Sequence, residues 1–112
     1  MKVYVRWENK KTGLFESDIE EIDNSLEDMQ DMVEGYIETY PITEELIIIC
    51  NEEGKLMNLP INLVVMLNDK VVDYICGDIF ITKGDGNGEF TDLSDADIDV
   101  VKRMIVGNTV HI

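Results

Sequence analysis

From Lys2 to Glu8 the chain alternates, with Val3, Val5 and Trp7 on one face and Lys2, Tyr4, Arg6 and Glu8 on the other. A period of two predicts a half-buried strand. Asn9 to Gly13 is loop chemistry, and Leu14 to Ile19 is expected to return as the second strand of a hairpin. The period then lengthens. Ser25, followed by Glu27 and Asp28, has the capping-box pattern that opens a helix, and acids in the first turn complement the helix dipole. Leu26, Met29, Met32, Val33 and Tyr36 recur along one side of that helix, while Glu27, Asp28, Asp31 and Glu34 fall on the other. Gly35 is the expected C-terminal cap.

Tyr36 to Tyr40 and Leu46 to Cys50 are predicted strands on either side of a break at Pro41. The run Ile47 to Cys50 is continuously apolar, which predicts a central strand covered on both faces. Asn51 to Gly54 has hairpin-turn chemistry, with Gly54 free to take a positive φ and Lys55 to Leu59 as the returning strand. Leu63 to Leu67 fits either a short strand or a helical turn. Asp78 to Lys83 is a strand with Ile79, Phe80 and Ile81 at its centre, and Gly84 to Gly88 is a flexible turn. Ser94 to Asp97 repeats the capping-box pattern, Leu93 and Ile98 sit where a hydrophobic staple forms, and the second helix is expected to reach about Val106 before Gly107. The expected architecture is one α+β domain over residues 1–112, an antiparallel or mixed β-sheet with two helices packed against it.

Composition agrees with a packed domain: 112 residues with 45% apolar content can bury a core without metals or disulfides. Charge changes the picture more. The formal net charge is −15, and between Thr12 and Gly54 fourteen Asp or Glu residues occur with no Lys or Arg. Binding a nucleic-acid backbone or an anionic membrane requires cations that replace released counterions, so direct nucleic-acid binding and membrane binding are not expected. The most apolar stretch, Leu56 to Cys76, is interrupted by Asn58, Pro60, Asn62, Asn68, Asp69, Lys70 and Asp73, and so cannot span a bilayer. The first residues lack a signal-peptide apolar core. Cys50 and Cys76 are the only cysteines, in no metal-like spacing, and are expected to be buried free thiols in strands of a cytoplasmic protein.

Candidate chemistry is sparse. The only histidine, His111, lies beside the last residue, where fraying is expected, and no Ser-His-Asp or Cys-His set forms without it. Asp85, Asn87 and Glu89 alternate like calcium-loop ligands, but Phe90 stands where Gly is needed and Ala96 where a bidentate Glu belongs. No metal, no cofactor and no enzymatic activity are expected.

Three binding readings remain. Glu27, Asp31 and Glu34 follow at i, i+4 and i+7, so their carboxylates line one helix stripe at roughly 5–6 Å, comparable with phosphates along a nucleic-acid strand. Glu16, Asp18, Glu20, Glu21 and Asp23 extend the acidic surface. The candidate partner-binding face is Glu20, Glu27, Asp31 and Glu34, and its partner is a basic protein surface; the plain alternative is a solvated face that maintains solubility. The second reading is a small-molecule or nucleotide-sequestering loop carrying Asn51, Lys55 and Asn62. The third is self-association through Leu63 to Leu67, with monomer or homo-oligomer left open.

An ordered set of segments also resembles a known family. These are Met29-Gln30 through Gly35-Tyr36-Ile37-Glu38, Ile49-Cys50-Asn51-Glu52-Glu53-Gly54-Lys55-Leu56, Leu59-Pro60-Ile61-Asn62, Gly77-Asp78-Ile79-Phe80-Ile81 and Phe90-Thr91-Asp92-Leu93-Ser94. From roughly Leu26 to Ile105 the chain resembles small bacterial, phage and mobile-element proteins grouped as domain of unknown function family 3846. The resemblance implies a shared fold and a phage or mobile-element context, and it implies no reaction. Family members often carry basic or polar residues after the Asn of Leu-Pro-x-Asn, whereas here Leu63-Val64-Val65-Met66-Leu67 follows.

Overall fold

A computed structural model describes residues 1–112. Strands β1 (Lys2–Glu8) and β2 (Phe15–Glu21) form the expected hairpin, with Trp7 opposite Glu16 and Val5 opposite Asp18. Helix α1 (Leu26–Val33) starts at Ser25, whose Oγ accepts the Asp28 N–H at 3.2 Å. There follow β3 (Ile37–Pro41), β4 (Leu46–Asn51), β5 (Ile61–Leu67), β6 (Lys70–Cys76), β7 (Ile79–Gly84) and the short β8 (Phe90–Thr91). Helix α2 (Asp95–Met104) opens with a complete capping box between Ser94 and Asp97, and β9 (Ile105–Val106) and β10 (Thr109–His111) follow it.

The class is α+β, as the periodicity predicts, but the strands divide between two sheets. One runs β2-β1-β7-β4-β3 with β8 on β7, and the other runs β6-β5-β10-β9. Every pairing is antiparallel except β10 with β5. The first sheet is covered on both faces. Against α1 it buries Val3, Val5, Ile49 and Phe80 with Met29 and Val33. Against the second sheet and α2 it buries Tyr4, Ile48 and Ile81 with Leu63, Val65, Val101 and Val110. Neighbouring residues such as Ile48 and Ile49, or Phe80 and Ile81, enter opposite cores, and all four are 0% exposed. That double coverage is why these strands read as continuous apolar runs. It also buries Tyr4 and Arg6, which alternation alone would place at the surface.

Several local expectations change. Glu34, not Gly35, caps α1 in the left-handed conformation at φ 61°. Gly35 is needed for another reason: a Cβ there would lie 2.7 Å from Asn51 Nδ2. Leu26 and Tyr36 are 56% and 69% exposed, so the buried stripe of α1 narrows to Met29 and Val33. Residues 55–59 form turns rather than a strand, because β4 already has β3 on one side and β7 on the other. Gly54 is not at positive φ; a Cβ on it would meet the Cys76 carbonyl oxygen at 2.7 Å. Leu63–Leu67 resolves as strand. Helix α2 stops at Met104, and the following residues pair with β10, so the C-terminal segment is tied into a sheet rather than frayed.

Candidate functional site

Paired residues on adjacent strands share a sheet face. Glu16, Asp18 and Glu20 oppose Trp7, Val5 and Val3 across the β1–β2 ladder, so these carboxylates project to the side that carries α1. Helix α1 runs beside them. Its Asp31 and the Glu34 that caps its end meet Glu20 across a shallow groove of about 340 Å³ that Val5, Trp7, Met32 and Ile79 line, with Asp78 also on its wall. Glu27 lies one turn before Asp31 and outside that lining. The structure therefore joins Glu20, Asp31 and Glu34 and leaves Glu27 on the adjoining helix surface. Sequence spacing missed Trp7, the only tryptophan, and Asp78. The cross-strand register is the signal that identifies Trp7, and it does not exist until β1 and β2 are paired.

No Lys, Arg or amino group pairs with Glu16, Asp18, Glu20, Glu27, Asp31 or Glu34; the ion pairs of the chain use other carboxylates. Lys10 bonds Glu8 at 2.7 Å. That bond raises the Lys10 pKa, and Asp78 and Glu34 add more distant attraction. The groove is thus a concentration of negative charge, with no ion pair to Glu20, Asp31 or Glu34, over an apolar floor. A guanidinium or ammonium group would find both a carboxylate rim and an indole face there.

The residues of the second candidate site serve the fold. Asn51 is 5% exposed; its Nδ2 donates to the Val33 and Glu34 carbonyls at 3.1 and 3.3 Å, and its Oδ1 accepts the Glu53 N–H at 2.8 Å. It closes the C-terminal end of α1. Asn62 is fully buried: its Oδ1 accepts from Arg6 Nε at 2.6 Å, and its Nδ2 donates to the Arg6 and Gly77 carbonyls at 3.1 and 2.8 Å. Burial pulls the Arg6 guanidinium below its usual pKa, partly offset by Tyr4.

Lys55 lies at the surface, bonded to Asp73 at 2.7 Å and 4.4 Å from the centre of the Tyr74 ring. Lys55 and Asn51 share the lining of a cavity of about 100 Å³ with Glu38, Tyr40, Cys50 and Cys76. That is smaller than the roughly 300–1,000 Å³ of small-molecule sites. Asn62 is not part of it. Both cysteines are buried free thiols, as expected. Burial, with Glu38 and Asp73 adding to it, pushes the Cys50 thiol up to about 12, and burial also raises Cys76, so neither is poised as a nucleophile. In the Gly84–Glu89 turn, Asp85 Oδ1 accepts the N–H groups of Asn87 and Glu89, so the carboxylate closes its own loop. No cluster of His, Cys, Asp and Glu has metal-holding geometry. No helix is long and apolar enough to cross a membrane.

These features belong to a two-sheet α+β domain with an acidic groove on its helix-covered side. Residues 5–106 match the family described as Domain of unknown function (DUF3846), and the chain belongs to that family. No curated protein and no solved structure matches it.

Proposed function

We propose that the protein is a non-catalytic binding protein whose acidic groove receives a Lys- or Arg-bearing segment of a basic partner protein. The observation that carries the reading is the convergence of Glu20, Asp31 and Glu34 from two different elements onto a groove floored by Val5 and Trp7, with no cation of the chain paired to them. A solvated surface requires only scattered charge; a concave, one-signed and partly apolar surface is complementary to cationic side chains with alkyl stems. Surfaces that bind nucleic acid have that chemistry. The fullest form of the reading is an accessory protein or inhibitor, encoded by a phage or mobile element, that occupies such a channel on a host enzyme.

Trp7 provides the test, because a single indole reports on the groove alone. Titration with an oligo-arginine peptide is expected to change Trp7 emission, and added salt is expected to weaken binding steeply. Changing Glu20→Gln, Asp31→Asn and Glu34→Gln together removes three rim charges at about 0.5 kcal/mol each, which is about ten-fold in affinity. Binding that ignores both salt and these substitutions overturns the reading. A ligand-sequestering role has less support, since Asn51 and Asn62 are held by their own chain and the cavity beside Lys55 is small.

A further inference from the structure

The acidic groove does not end at Asp31 and Glu34. Those two residues also line a second hollow of about 470 Å³, completed by Gln30, Gly35 and Tyr36 at the C-terminal end of α1. They form a shared wall with an aromatic ring on each side. Trp7 lies in the groove, and Tyr36, 69% exposed, lies in the second hollow. An exposed tyrosine beside carboxylates that carry no ion pair offers what the groove offers, a ring face and a negative charge. Gln30 adds an amide oxygen, which accepts from a guanidinium or an ammonium group.

The chain's own cations leave this side open. Neither hollow has a Lys or Arg in its lining. Lys10 lines a narrow cleft with Glu8, Glu34 and Asp78, outside both hollows, and is bonded to Glu8. A second cation is therefore favoured beside Tyr36 and opposed beside Lys10. The shared wall sets the spacing. It is a single row of two side chains, and alternate residues of an extended segment project to the same side about 7 Å apart, enough to clear such a row. Adjacent residues of that segment project to opposite sides and do not fill both hollows.

We propose, resting on the groove reading, that the partner's segment is extended and carries two Lys or Arg side chains separated by one residue. One lies over Trp7 in the groove and the other over Tyr36 in the second hollow, astride Asp31 and Glu34. Charge complementarity and the two rings together select the spacing of the cations as well as their sign.

Two blocked peptides of identical composition and charge test this on the full chain. Gly-Arg-Gly-Arg-Gly has its arginines separated by one glycine, and Gly-Gly-Arg-Arg-Gly has them adjacent. Trp7 emission reads groove occupancy for both. The spaced peptide is expected to bind about ten-fold more tightly, the effect of one ring contact and one carboxylate contact at an exposed site. Tyr36→Ala is expected to bring it down to the affinity of the adjacent peptide, and Tyr36→Phe, which keeps the ring, to preserve the difference. Tyr36 is largely exposed, so an unchanged thermal melt will show that both variants fold. Equal affinities, both still weakened by salt and by the combined Glu20→Gln, Asp31→Asn and Glu34→Gln change, overturn the two-cation proposal and leave the groove reading standing. A preference for the spaced peptide that survives Tyr36→Ala also overturns the proposal. Failure of either peptide to bind at low salt overturns both.

Discussion

Asn51 and Asn62 differ from Glu20, Asp31 and Glu34 in where their polar atoms find partners. The two asparagines are buried, and each uses both its oxygen and its nitrogen on the chain itself. The three carboxylates face a groove with no cation paired to them. Both sets are polar residues in segments that look site-like in sequence. A buried polar group without a partner is costly, so an internal network is filled by the fold. An exposed carboxylate keeps water as its partner and can exchange it for a cationic one. The asparagines should therefore matter for stability, and the groove acids for binding.

The largest expected effect is at Asn62. Asn62→Ala strips a buried guanidinium of its side-chain partner and leaves two backbone carbonyls short of a donor, so unfolding free energy should fall by about 3 kcal/mol in urea titration. Retention of wild-type stability would dissolve the contrast. Asn51→Ala uncaps the end of α1 and frees the Glu53 N–H, at about 1.5–2 kcal/mol by the same assay.

Glu34 sharpens the contrast from the other side, because it is a groove acid held in a left-handed conformation that Asn adopts more readily. Glu34→Asn should raise stability by about 0.5–1 kcal/mol. The same change should weaken oligo-arginine binding, separating stability from binding at one residue.

The smallest effect is in the acid limb of stability. The Lys55 hydrogen bond holds the Asp73 carboxyl below the usual range, and the Ser94 backbone N–H does the same for Asp97. A depressed folded pKa gives stability that is complete above the unfolded value near about 4 and lost as pH falls through the folded value. Asp73→Asn should therefore lower Tm slightly near neutrality and leave it unchanged in strong acid, so that the Tm decline below about pH 4 becomes shallower.

Elements whose signal is local were legible in the chain. The β1–β2 hairpin follows its alternation, and both helix starts follow Ser25 and Ser94 with their acids three residues on. Leu93 and Ile98 reach the same core, as the staple pattern predicts. The last part of the chain was not legible in the same way. Val106 follows a helical pattern yet pairs as strand with Thr109, because β10 docks in parallel on β5 and draws the chain out of the helix. Trp7 reads as core, yet it lines the groove because α1 leaves that end of β1 uncovered.

By itself the sequence determined the α+β class, the two capped helices, the doubly buried central strand at Ile47 to Cys50 and the excess of acid, since each arises from neighbours a few residues apart. The tertiary structure decided that there are two sheets, that Arg6 is buried on Asn62, and that Glu20 meets Asp31 and Glu34 over Trp7 while one sheet face stays open. Those outcomes depend on contacts between residues far apart in the chain, and such contacts leave no periodicity for the sequence to display.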